Sequence, residues 1–129
     1  MTSRFTELAV DCHDPEGLAA FWCAVLGFDV IERSEGKVEI GSWVPTVEEV
    51  RARQMPPTVL FVQVPEGKVV KNRLHLDVSP VDTTSDAEVA RLLALGATRA
   101  DVGQGADCSW EVLADPEGNE FCVQRTLAP

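Results

Sequence analysis

Basic residues are scarce in this chain of 129: 11 Lys and Arg stand against 21 Asp and Glu, for a formal net charge of -10. That balance argues against a nucleic-acid partner, because a phosphate backbone needs a basic face to replace its counterions. A cationic or metal-bound partner is compatible with it, and so is a plain acidic surface. Long apolar runs are also missing. No stretch approaches the ~20 residues that cross a bilayer, and the amino terminus has no basic start followed by an apolar segment. A cytoplasmic protein with no membrane partner is therefore expected. Cysteine is sparse and unpatterned: Cys12, Cys23, Cys108 and Cys122 form no Cys-x-x-Cys pair and no zinc-finger spacing. They are expected to be reduced, small, apolar residues.

What the chain does have is a repeated unit. Arg73-Leu74-His75-Leu76-Asp77-Val78 alternates polar and apolar residues as a half-buried strand does. Leu74, Leu76 and Val78 are expected on one face, with Arg73, His75 and Asp77 together on the other. Glu7-Leu8-Ala9-Val10-Asp11 repeats the pattern, and superposing the two stretches sets Glu7 on His75. Each stretch leads into a helix-like segment that ends in Leu-Gly, at Leu26-Gly27 and Leu95-Gly96. A chain of this length ordinarily builds one domain, so two such copies must share a single structure. Residues 1–129 are expected to form one domain, with module one at about 4–66 and module two at about 72–126.

The remaining elements follow from local chemistry. Asp14-Pro15-Glu16 is a helix start, with a capping carboxylate and proline at the first helical position. Leu18, Phe21, Trp22, Val25 and Leu26 then make an apolar stripe, so Trp22 reads as core. Phe28 to Arg33 and Lys37 to Ile40 read as strands joined by Ser34-Glu35-Gly36. Thr46-Val47-Glu48-Glu49 fits a capping box and predicts a short helix reaching about Gln54, ended by Pro56-Pro57. Thr58 to Val64 is β-prone, with Phe61 and Gln63 on one face. Ser85-Asp86-Ala87-Glu88 fits a second capping box, and Val89, Leu92 and Leu93 mark its helix. Thr98 to Val102, Ser109 to Ala114 and Glu120 to Arg125 read as strands, with a turn at Asp115-Pro116-Glu117-Gly118-Asn119. The predicted fold is α+β: two βαβββ modules whose curved mixed sheets surround a cavity, with helices on the outer faces.

In this order and spacing several segments resemble the vicinal oxygen chelate superfamily, the glyoxalase, bleomycin-resistance and extradiol-dioxygenase group. They are Asp14-Pro15 with Phe21-Trp22 and Leu26-Gly27-Phe28, then Leu74-His75-Leu76-Asp77-Val78, Leu95-Gly96-Ala97, and the closing Asp115-Pro116-Glu117-Gly118-Asn119-Glu120-Phe121. The resemblance covers nearly the whole chain and is strongest to small bacterial glyoxalase-like proteins. It implies a homodimer, a small-molecule ligand, and a divalent ion (zinc, nickel, manganese or iron) on the first and fourth strands of each module. Carried over, those positions are Glu7, His75 and Cys122, with Phe61 or Gln63 on the fourth strand of module one. The set is incomplete, since phenylalanine ligates nothing and glutamine is a weak ligand.

Two functional outcomes stay open. Glu7 and His75 form an acid-base pair suited to moving a proton beside a carbonyl, or two legs of a metal site. The chain would then be a lyase, isomerase or dioxygenase acting on a carbonyl or vicinal-oxygen compound. Alternatively it is a drug- or metabolite-sequestering protein, which needs an acidic, aromatic-lined groove rather than metal ligands. In either case Phe61, Gln63, Asp77, Trp43 and Trp110 are the residues expected to contact the ligand.

Overall fold

The computed structural model describes residues 2–105 and 110–124. Cys108, Ser109 and Arg125 lie outside the described residues. The chain divides into two compact units, Met1–Gly67 and Lys68–Pro129.

The first unit runs β1 (Glu7–Cys12), α1 (Pro15–Leu26), β2 (Asp29–Ser34), β3 (Lys37–Gly41), α2 (Val47–Ala52) and β4 (Thr58–Gln63). Its sheet has the order β1-β4-β3-β2, with β1 parallel to β4 and the other pairs antiparallel. The second unit repeats the plan with β5 (Asp77–Val78), α3 (Ser85–Leu95), β6 (Thr98–Arg99), β7 (Trp110–Ala114) and β8 (Glu120–Gln124). Its order is β5-β8-β7-β6, again with one parallel pair, β5 and β8. The chain is thus α+β, built of two βαβββ modules with open mixed sheets. The first carries an additional short helix between its third and fourth strands.

Local chemistry explains the helix ends. The Asp14 carboxylate accepts a bond from the Gly17 amide at 3.1 Å, and Pro15 follows at the first helical position. Gly27 closes α1 at φ 69°, where a side chain would strain, and its N–H reaches the Cys23 carbonyl at 2.8 Å. Thr46 caps α2, accepting from the Glu49 amide at 3.2 Å, and the helix ends at Ala52, short of Gln54. The second capping residue is Thr84 rather than Ser85: its hydroxyl accepts from the Ala87 amide at 3.1 Å. Ser85 instead donates to the Gln124 carbonyl at 2.7 Å and ties α3 to β8. Its neighbour Glu88 is taken by Arg91 through two bonds, at 2.7 and 2.9 Å. Those bonds hold the Glu88 carboxyl below its ordinary value.

Alternation assigns the sheet faces. In the first unit Leu8 and Val10 pair in register with Val59 and Phe61, which pair in turn with Ile40 and Val38. Val38, Ile40, Val59 and Phe61 are buried, as are Leu18, Phe21 and Trp22 of α1, so this is the face under the helix. Arg33, on the same face, donates to Glu16 of α1 at 2.8 Å. In the second unit Leu113, Phe121 and Val123 are fully buried, together with Leu92 of α3. The opposite face holds His75 and Asp77, which are exposed.

One expectation about this strand fails. Leu74 does not join Leu76 and Val78, but stands 81% exposed. The ladder with β8 begins only at Leu76, whose carbonyl accepts from the Cys122 amide at 2.9 Å, and the chain bends at residues 73–74. Without a neighbouring strand there, nothing enforces the alternation. Thr98 to Val102 is likewise reduced to the two residues of β6.

Candidate metal centre

A two-residue repeat and one parallel register build a cluster on the open face of the second sheet. Asp77 pairs with Cys122 across β5 and β8, so their side chains leave the same face of adjacent strands. His75, two residues before Asp77, falls on that face as well. The ligand-type atoms of His75, Asp77 and Cys122 all lie within 4.8 Å of one another. His75 Nδ1 is 2.9 Å from Asp77 Oδ1 and 4.0 Å from Cys122 Sγ. His75 and Asp77 are open to solvent, while Cys122 is buried.

The segment leading into the cluster is pinned within the same unit. Lys68 Nζ donates to Glu120 Oε1 at 2.6 Å, and the Asn72 amide donates to Glu120 Oε2 at 3.1 Å. Burial alone would push the Glu120 carboxyl up. The Lys68 ammonium and the Asn72 N–H outweigh it and hold the group below its ordinary value. The turn after β7 is tied by Asp115, buried at 3% exposure, whose Oδ1 accepts from the amides of Glu117 and Asn119 at 2.9 and 3.0 Å. This turn sets the β7–β8 register, and with it the depth of Cys122. In turn Val112 pairs with Cys122, and Trp110 shares their face at 38% exposure.

The donor set fits a borderline dication. One imidazole, one carboxylate and one thiolate are the ligand types that zinc accepts, and three protein ligands leave a coordination position open, as in catalytic sites. The thiolate disfavours manganese, calcium and magnesium, which prefer oxygen. The same 2.9 Å contact orients the His75 ring against the Asp77 carboxylate.

The first unit lacks this set. Glu7, Ala9 and Asp11 share the open face of β1, and their register partners are Thr58, Leu60 and Val62. With Glu7 equivalent to His75, the position equivalent to Cys122 is Leu60. Phe61 and Gln63 fall on the other face. Phe61 is fully buried beneath α1, and Gln63 is exposed, donating to the His13 carbonyl at 3.3 Å. Trp43 is half-buried in the loop after β3. Of the residues expected at the site, the structure brings together His75, Asp77, Cys122 and Trp110 on one sheet face. Glu7 stands on the open face of the other unit's sheet. The sequence offered Asp77 as a ligand contact rather than a metal donor, because its pairing with Cys122 spans 45 residues and no local pattern reports it. Among the described residues Cys12, Cys23 and Cys122 form no disulfide.

A family model described as a glyoxalase-like domain matches residues 7–124. The chain belongs to this glyoxalase-like family. It is therefore a member of the vicinal oxygen chelate superfamily, and solved structures agree with that placement. A glyoxalase/bleomycin resistance protein/dioxygenase family enzyme from Burkholderia phytofirmans PsJN is 22% identical, with a TM-score of 0.65 over 94% of this chain and 97% of that one. The fosfomycin resistance protein FosX from Listeria monocytogenes, complexed with Mn(II) and 1S,2S-dihydroxypropylphosphonic acid, is 12% identical, with a TM-score of 0.65 over 97% and 91%. The oxidase ChaP-H2 is 14% identical, with a TM-score of 0.59 over 98% and 95%. These likenesses establish the glyoxalase-like fold and no particular reaction. No curated protein sequence matches the chain. No described helix is long and apolar enough to cross a membrane.

Proposed function

We propose that this glyoxalase-like protein binds a small carbonyl or vicinal-oxygen compound over the face of β5, β8 and β7, and acts on it as a metal-dependent lyase, isomerase or dioxygenase. The observation that carries the reading is the His75–Asp77–Cys122 cluster, whose three ligand types suit one borderline dication such as zinc. A dication held by these three residues supplies Lewis acidity toward adjacent oxygens of the ligand. The chain's own contribution is orientation and proton transfer. Asp77 fixes the His75 ring at 2.9 Å, and Trp110 offers an apolar wall on the same face. Glu7, in the equivalent place of the first unit, is proposed as an acid-base group. A homodimer in the cytoplasm is the proposed setting, by analogy within the superfamily.

Calorimetric titration of chelator-stripped protein with zinc, nickel, manganese and iron(II) tests this. Saturable zinc binding that is lost in His75→Ala and Cys122→Ser is expected. Absence of heat with all four metals removes the metal-dependent reading.

A second reading, sequestration without catalysis, draws on one contrast: the first unit presents Thr58 and Leu60 beside Glu7 where ligands would stand. Thermal-shift screening against cationic antibiotics and small aromatic metabolites separates the two. A strong shift that survives chelator and Glu7→Gln favours sequestration.

A further inference from the structure

Away from the histidine cluster, the first unit contains an open cleft of about 60 Å³ between α2, the segment entering β1, and the open sheet face. Among the residues that line it are Arg4, Phe5, Glu39, Arg53, Met55 and Thr58. In a chain with 11 basic residues and a net charge of -10, two arginines at one small cleft are a local reversal of sign. Among the described residues neither has an ion-pair partner.

The rim is held in place by one side chain. Gln54, just beyond α2, donates through Nε2 to the Ser3 carbonyl at 2.8 Å and accepts the Phe5 amide on Oε1 at 3.1 Å. This two-way amide clamp ties the segment that carries Arg4 to Gln54, the residue after Arg53. The floor is polar and ordered: Thr58, 5% exposed, donates its hydroxyl to Glu39 Oε2 at 2.5 Å. Oε1 of Glu39 is left to accept from a ligand. Phe5 and Met55 supply apolar walls.

We propose that this cleft is a subsite for a small aliphatic hydroxy acid. Its carboxylate is taken by Arg4 and Arg53, its hydroxyl is donated to Glu39, and its carbon body lies against Phe5 and Met55. Guanidinium groups match a carboxylate through paired donors, and a small cleft limits the guest to a few heavy atoms. This inference rests on reading the chain as a small-molecule-binding protein, but not on a metal at His75.

The test is a titration of isotope-labelled full-length protein with lactate, followed by backbone amide chemical shifts. Saturable shifts confined to residues 4–6, 39 and 50–58 are expected, with a dissociation constant on the order of 1 mM. Lactamide, the neutral counterpart, is expected not to bind, and propionate, without the hydroxyl, to bind several-fold more weakly. Arg53→Gln should weaken lactate binding roughly tenfold, and Arg53→Lys should restore part of it, because an ammonium keeps the charge without the fork. His75→Ala should leave the lactate titration unchanged, so loss of the zinc reading and loss of this subsite are separable results. The proposal is overturned by shifts elsewhere only, by no saturation, by lactamide binding as well as lactate, or by propionate equalling it.

Discussion

In the first unit the lead strand sets Glu7 beside Thr58 and Ala9 beside Leu60. In the second it sets Asp77 beside Cys122, in the same parallel geometry. Two sheets with one strand order therefore carry different chemistry at matching rungs. The repeated parts are those that bury apolar area: the helix stripe, its glycine end and the inner face of the sheet. The parts that differ are the open faces, where exposed side chains such as Glu7, His75 and Asp77 contribute little to folding and are free to serve function. A ligand cluster on one copy and an arginine-lined cleft on the other are what such divergence leaves behind.

The largest expected effect tests which face is core. Phe61 and Phe121 are both fully buried, on the inner faces of the two sheets. Replacing either with alanine should cost about 3–5 kcal/mol in urea unfolding. A loss below ~1 kcal/mol for Phe61→Ala, with a change in ligand binding, would return that residue to a cavity wall.

Next comes the asymmetry of the open faces. His75→Ala and Cys122→Ser should each weaken zinc binding by roughly 100-fold, or about 2.7 kcal/mol, in calorimetry. Leu60→Ala, at the matching rung of the other copy, should leave it within about twofold. Equal losses would break the comparison.

Acid should also separate the units. Glu88 and Glu120, both in the second unit, have carboxyls held below the ordinary 4.5. Near that pH the unfolded chain binds more protons, so their contribution is complete above about 4.5 and fades as pH falls through the lower folded values. Hydrogen exchange at pH 3 to 6 should show the second unit loosening first. A Glu88→Gln, Glu120→Gln double variant should be less stable at pH 6 and flatter across that range.

The smallest effect concerns a cap. Thr84→Ala should lower stability by about 1 kcal/mol. Ser85→Ala removes a different bond, to the Gln124 carbonyl, and should slacken exchange protection at β8 rather than at the start of α3.

Much of the fold was legible because its signals are local. Asp14-Pro15, the apolar spacing through Leu26 and the Gly27 stop each act within one turn of helix, and each stands where the sequence puts it. The twin Asp-Pro-Glu-Gly segments, one opening α1 and one turning between β7 and β8, also behave as expected. Leu74 and Ser85 did not, because each depends on where β8 lies. The ladder starts two residues beyond Leu74, at Leu76, and so does not enclose it, and the Gln124 carbonyl draws the Ser85 hydroxyl away from capping.

The candidate site divides the same way. Composition and period by themselves determined an acidic α+β chain of two βαβββ copies, with His75 and Asp77 on one side of a strand. Only the tertiary structure decided that Asp77 shares a rung with Cys122, that Phe61 belongs beneath α1, and that Arg4 comes to the end of α2. The reason is physical. Alternation tells which residues of one strand share a side, whereas the rung each meets on the next strand is fixed by packing and turn geometry many residues away.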